Sequence, residues 1–443
     1  MTMPKEMKRE PAGDGATAAG AKPAMFVKAA LIASIIALAT ALYAPHSAGQ
    51  FLDLRAFYCA GQAQLSGADP YREHPLRECE RTVSAPGLPA VDYGATLPVP
   101  FPGFVLMLFA ALARLPFGWV FLLWQGLACA ALGLAVVLAA RTTRTSLTAN
   151  AIVLGFPAVI LALQLGQVTP FVLLAVAGCA TLLQSGQPRL AALAALGALL
   201  DPHVGLALEL GLFVCVPQAR GVLVAGTAVL VALGSAISGP AREWEYLHLV
   251  LPAHALANLT EARQFSTSNF AFEAGMPAQL ALTFGSVWYV GMLVAGAIVA
   301  FRLRARLGAA AIAYIPAAFA VFGGTHVHLQ QLAVAIPAFM LLSSAAAGKR
   351  HDVYTVITFV AAVPWLYLAP VPGLFAVAAA LAILFAREMS SGRQGLRLAA
   401  GSLLALTIML QSIIRSQTVR PAIHATVVGN PLAEASLQIL TVA

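Results

Sequence analysis

Charge is scarce in this sequence: Asp, Glu, Lys and Arg make up 10% of 443 residues, against 60% hydrophobic residues and a mean hydropathy of +0.83. A chain so poor in charge cannot cover an apolar core with a wettable surface, so a water-soluble globule is excluded and lipid must serve as solvent. Acidic residues are outnumbered, 18 to 26, leaving a net charge of +8. In a soluble protein that excess would suggest nucleic acid as a partner; here it marks loops on the cytoplasmic side. No Walker loop or dinucleotide fingerprint is present, so no cofactor is expected.

What is present is a series of apolar runs along nearly the whole chain. Inside a bilayer each run must satisfy its own backbone hydrogen bonds, which selects helices. The expected fold is therefore all-α and polytopic, with spans near 25–44, 117–140, 151–165, 168–184, 190–201, 203–217, 221–238, 280–301, 308–322, 329–347, 353–369, 373–386 and 398–413. The segment 1–24 reads as a disordered cytoplasmic tail, and 414–443 as a carboxy-terminal tail. Tyr43-Ala44-Pro45-His46 after the first run is no cleavage site, so that run is expected to remain as a helix. The loops then assigned to the cytoplasm hold most of the Lys and Arg, among them Arg141, Arg144, Arg189, Arg220, Arg302, Arg304 and Arg306. This topology needs Leu97–Leu115 to stay on the outer side. Pro98, Pro100 and Pro102 break its start and Pro116 its end, leaving roughly 14 helical residues, about 21 Å, too short to span.

Two outer loops, about 45–96 and 239–279, gather the charged residues. Most of these read as solvated surface, but a few could do chemistry. Asp53, in Phe51-Leu52-Asp53-Leu54-Arg55-Ala56-Phe57-Tyr58, is a carboxylate held near the membrane surface by apolar neighbours. It is either a general base or the N-cap of a helix beginning at Leu54. Cys59 and Cys79 share the first outer loop. They are expected either as a disulfide, closing about 20 residues and worth roughly 3 kcal/mol, or as two free thiols. Cys129, Cys179 and Cys215 fall within spans and read as packing residues.

The order Asp53-Leu-Arg-Ala-Phe-Tyr, Gly67-Ala-Asp69-Pro70-Tyr71, a Pro-rich segment leading to Leu115-Pro116, Gly166-Gln167, and Thr325-His326-Val327-His328 resembles glycosyltransferase family 87. These are enzymes of the GT-C fold that use polyprenyl-phosphate sugars. The resemblance implies a GT-C-like bundle of about 12–13 transmembrane helices with outer juxtamembrane helices, a catalytic module over 25–240, and a second loop with carboxy-terminal helices over 241–413. It implies transfer of mannose or a pentose from a polyprenyl-phosphate donor to a glycolipid or glycan acceptor, on the outer face of the plasma membrane, with inversion. Asp53 would be the base. His326 would act beside it, and Arg55, Tyr58, Gln167, Arg263 and His328 would contact substrates. On a helix His326 and His328 would point about 200° apart, so both could line one site only if the segment is extended. No third ligand at metal-site spacing accompanies them, and no metal is expected.

The sequence departs from the family at Asp201-Pro202-His203, where many members carry Lys-Pro, and at Val99-Pro100-Phe101-Pro102, where Tyr-Pro-Pro is usual. Glu209 falls inside a span and needs a partner facing the bundle interior. The competing class is a transporter or lipid flippase, whose sign would be an internal repeat; none is evident between 1–220 and 221–443. A noncatalytic membrane assembly subunit is the third reading, and it predicts unaltered product levels when Asp53 is changed to Asn.

Overall fold

A computed structural model describes residues 51–84, 96–97, 99–155, 158–259, 266–346 and 351. The expected first span, the last three spans, both tails and Arg263 lie outside the described residues.

The described chain is helical throughout. In order come α1 (Leu52–Leu65), α2 (Glu73–Thr82), α3 (Gly103–Leu112), α4 (Phe117–Thr143), α5 (Leu147–Gly155), α6 (Ala158–Leu165), α7 (Thr169–Gln184) and α8 (Pro188–Gly197). A 3-10 turn, Ala198–Leu200, leads into α9 (Pro202–Cys215), followed by α10 (Arg220–Ser238) and α11 (Pro240–Glu245). A π turn, Tyr246–Val250, continues into α12 (Leu251–Ala257). Then follow α13 (Thr267–Glu273), α14 (Ala278–Leu307), α15 (Ala311–Gly323), a 3-10 turn at Leu329–Gln331, and α16 (Leu332–Ser344).

Among the described residues, three helices are long and apolar enough to cross a membrane: α4, α14, and α10 together with the turn that leads into it from Pro217. The 27 residues of α4 extend about 40 Å, beyond the roughly 30 Å of hydrocarbon. Helices α10 and α14 turn most of their apolar surface outward, with Val224, Val229, Val231, Phe284 and Val287 exposed. An apolar outside is the surface that lipid requires. Six shorter apolar helices of 10–17 residues complete the set, α3 among them. The ten residues of α3 reach only about 15 Å. The described parts of the expected span 151–165 are helical, in α5 and α6, and the expected span 190–201 loses its α-helical bonding after Gly197.

Side-chain hydrogen bonds sort the bundle into two ends. At one, Gln184 Nε2 donates to the Thr142 carbonyl (3.1 Å), Thr142 and Tyr314 share a hydroxyl hydrogen bond (2.5 Å), and Arg304 Nη1 donates to the Cys215 carbonyl (2.8 Å). Arg141, Arg144, Arg220, Arg302 and Arg306 lie at or near these same helix ends. At the other end, Trp124 Nε1 donates to the Gly166 carbonyl (2.9 Å), Gln64 Nε2 to Ile237 (2.9 Å), and the Tyr289 hydroxyl to His203 (2.8 Å).

The two charged loops interlock at this second end. Arg72 pairs with Glu245 at 2.7 Å, Arg242 donates to the Gly67 carbonyl (2.9 Å), and the rings of Tyr71 and Tyr246 stack. Glu243 accepts the Gly103 N–H at 2.9 Å, so a residue 140 positions away takes up one of the free donors at the start of α3. Not all the loop charge is solvated. Glu80 is buried, where desolvation pushes its carboxyl up to about 7, although the Leu97 N–H and Arg77 pull it back. Cys59 and Cys79 are bridged, with Cα atoms 5.6 Å apart, tying α1 to α2.

Candidate functional site

Asp53 lies in the first turn of α1, which begins two residues earlier than its apolar pattern suggests. The N-cap position belongs to Phe51, in the left-handed region at φ 56°, so the capping role weighed for Asp53 falls away. The Phe51 N–H donates to the Gln164 carbonyl at 2.6 Å and pins the start of α1 to the end of α6. Just beyond, Gly166 takes φ 76°, turning the chain so that Gln167 Nε2 donates to Asp53 Oδ2 at 2.5 Å. Asp53 and Gln167 thus meet across 114 residues, both partly exposed.

Other predicted site residues on α1 face elsewhere. Arg55 is 1% exposed and packed in the core. Tyr58, five residues or about 140° round the helix from Asp53, donates to the Leu115 carbonyl and accepts from Gln62, each at 3.0 Å. Its hydroxyl fastens α1 to the segment that opens α4.

A second cluster is built from imidazoles. The chain from Gly324 to His328 is not helical, so His326 and His328 do not diverge: their Nε2 atoms are 2.8 Å apart and one donates to the other. His254, from α12, meets the His326 ring edge-on at 4.6 Å, and Asn258 Nδ2 donates to its Nδ1. His203 lies within electrostatic reach of both. Its ring packs edge-on against Tyr289, and its Nδ1 is 3.6 Å from Asp201 Oδ1. Helix α6 packs against α1 and also against the 3-10 turn that follows His328, so it joins the element that carries Asp53 to the segment that carries the histidines. No three His, Cys, Asp or Glu side chains among the described residues are arranged to hold a metal ion.

Burial, reinforced by the neighbouring imidazoles, lowers His254 to about 3 and His326 well below the ordinary histidine value. Both rings are therefore neutral at pH 7, and each can offer one N–H. A folded-state value below the unfolded one, near 6.5, means that the unfolded chain takes up protons first as pH falls. The stability involved is fully present above about pH 6.5 and drains away toward pH 3. Thermal unfolding in detergent, followed from pH 7.5 to 4.5, should show a falling melting temperature, with a slope approaching 1.4 kcal/mol per pH unit for each histidine. Replacing His254 by Gln should flatten that slope by about half.

Two residues without a predicted role belong to this end. Asp201 had its signal in Asp-Pro, a pattern that opens a helix, and it is the N-cap of α9. Gln331 had no signal at all, since Gln beside Gln330 at a helix start is ordinary. Within the bundle, Glu209 finds its partner in Thr227, whose hydroxyl lies 3.0 and 3.1 Å from the two carboxylate oxygens.

The sequence profile of glycosyltransferase family 87 matches residues 100–322, half of the chain. The match takes in Gln167, Asp201, His203 and His254; Asp53 precedes it, and His326 and His328 follow it. Neither the curated proteins nor the solved structures yield a match. With an all-helical, lipid-facing bundle and a family match over half its length, the chain belongs to glycosyltransferase family 87 and is a membrane glycosyltransferase.

Proposed function

We propose that the protein transfers a sugar, mannose or a pentose, from a polyprenyl-phosphate donor to a glycolipid or glycan acceptor outside the cytosol, with Asp53 as general base. The observation that carries this reading is the Asp53–Gln167 pair, a partly exposed carboxylate oriented by an amide at the end of the bundle opposite Arg141, Arg144, Arg220, Arg302, Arg304 and Arg306. Asp53 accepts the acceptor hydroxyl's proton while that oxygen bonds to the anomeric carbon; the bond from carbon to phosphate oxygen breaks, and polyprenyl phosphate leaves with the electron pair from the opposite face. The configuration inverts. A phosphate leaves without prior protonation, so one carboxylate suffices, unlike the pair used on glycosides.

Charge then grows on the phosphate, and groups that stabilise it there lower the barrier. The His326–His328 pair supplies an N–H donor for it, the Nδ1–H of the ring that accepts the shared hydrogen bond, with Arg263 as a cation from the outer loop and Arg55 as a fixed charge buried in α1. Gln167 fixes the carboxylate and is within reach of sugar hydroxyls. Tyr58 serves substrate indirectly, by holding α1 in place. The short connections at one end carry Arg141, Arg144, Arg220, Arg302, Arg304 and Arg306, which suits the cytosolic side of a plasma membrane and puts the Asp53 end outside.

Intact cells and proteoliposomes test this reading together. A membrane-impermeant maleimide should label Ser66→Cys in intact cells and leave Ser185→Cys, at the arginine end, unlabelled. Reconstituted protein should pass label from a radioactive polyprenyl-phosphate mannose or pentose to an acceptor lipid. Labelling of Ser185→Cys alone would remove the site from the compartment it needs, and no transfer from any such donor would sink the assigned chemistry.

A further inference from the structure

Asp201 uses its two carboxylate oxygens for two different tasks. Oδ1 accepts the His203 N–H at 3.2 Å, which is the bond an N-cap makes. Capping needs nothing more, yet Oδ2 reaches 130 residues along the chain to accept from Gln331 Nε2 at 2.5 Å. With its amide nitrogen committed there, Gln331 has its oxygen left for the backbone N–H of His328, at 2.8 Å. A carboxylate can only accept, so it settles which way the Gln331 amide faces. Asp201 remains ionised: burial would raise its carboxyl, but hydrogen bonds and charge from His203 and the hydrogen bond from Gln331 more than offset this and leave it lowered.

The segment held in this way carries both histidines. Gly324–His328 has no helical bonding of its own, so the angle at which the two rings meet depends on what grips the backbone at His328. We infer that Asp201 and Gln331 form a clasp that positions the His326–His328 pair, setting the direction in which the Nδ1–H of the accepting ring faces the donor phosphate. Neither residue touches substrate; both act through the loop. The inference rests on the reading of that pair as the phosphate-facing group, but the clasp has a readout of its own.

The test is an exchange of donor and acceptor. Asp201→Asn keeps an oxygen for the His203 N–H but turns an N–H toward the Gln331 nitrogen; Gln331→Glu keeps the acceptor for His328 and sets two carboxylates face to face. Each single variant breaks the clasp, whereas the double variant rebuilds it with the polarity reversed, an amide of residue 201 donating to a carboxylate of residue 331. Full-length protein labelled with 15N-imidazole histidine, in lipid nanodiscs with and without undecaprenyl phosphate, should show the His326 and His328 resonances displaced in each single variant and returned in the double. In transfer assays the singles should lose about 10²-fold in kcat with smaller changes in donor KM, as expected for a misplacement near 1 Å, and the double should recover to within a few-fold of wild type. Unmoved resonances in the single variants, or a double variant displaced as far as either single, would overturn the clasp. Transfer that survives Asp53→Asn would instead count against the catalytic reading while the imidazole spectra still decide this one.

Discussion

Asp53→Asn should abolish most transfer, lowering kcat by about 10³-fold, within the range that a positioned general base contributes. The substitution is close to isosteric, and an amide oxygen at the place of Oδ2 can still accept from Gln167 Nε2, so the contact between α1 and the start of α7 is retained. Loss of a carboxylate from the first helical turn costs under about 1 kcal/mol through the helix dipole, too little to unfold the protein. Thermal stability and binding of the polyprenyl-phosphate donor should therefore match wild type while turnover collapses. The comparison is made in proteoliposomes with saturating radiolabelled donor. Equal turnover by the variant would remove Asp53 from the chemistry and restore the noncatalytic reading.

Gly166→Ala should be nearly as damaging, for a reason that involves no chemistry. Gly166 has φ 76°, where a side chain costs about 1–2 kcal/mol, and a Cβ built there would lie 2.5 Å from the Cβ of Leu54. Leu54 is fully buried, and its Cβ is fixed to the α1 backbone, so no rotamer change relieves the contact. Two carbons need roughly 3.5 Å, and α1 must move away from the 166–167 turn by about 1 Å. That shift opens the hydrogen bond between Gln167 and Asp53 and should lower kcat by about 10²-fold. Gly67→Ala is the control, since Gly67 has the same backbone conformation at φ 75° with nothing within 4 Å of the added carbon. It should carry the conformational cost and leave transfer intact. Equal kcat in Gly166→Ala and Gly67→Ala would show that the approach of α1 to this turn does not set the site.

Some of this was legible from residues alone because it is local or additive. Apolar content and scarcity of charge add up along the chain and select lipid, and lipid selects helices. Closely spaced prolines before Gly103 limit α3 to a length that any later packing must accept. The family could likewise be read from short, ordered landmarks, and a profile match over 100–322 agrees with that family; it takes in Leu115-Pro116 and Gly166-Gln167 and leaves out 53–71 and 325–328.

What the sequence could not decide were contacts made where the backbone leaves the helix. His326 and His328 diverge on a helical template, and only the non-helical, bent loop lets their ring nitrogens meet. Asp53 carries the same local pattern as a helix cap; the left-handed Phe51 takes that position and leaves the carboxylate for Gln167, 114 residues away. Gln331 is silent until α9 delivers Asp201 to it across 130 residues. Composition and period report on neighbours in the chain, while these pairings depend on how whole helices settle against one another. The solvent and the helices follow from the sequence; which polar groups face each other at the helix ends follows from the packing of the bundle.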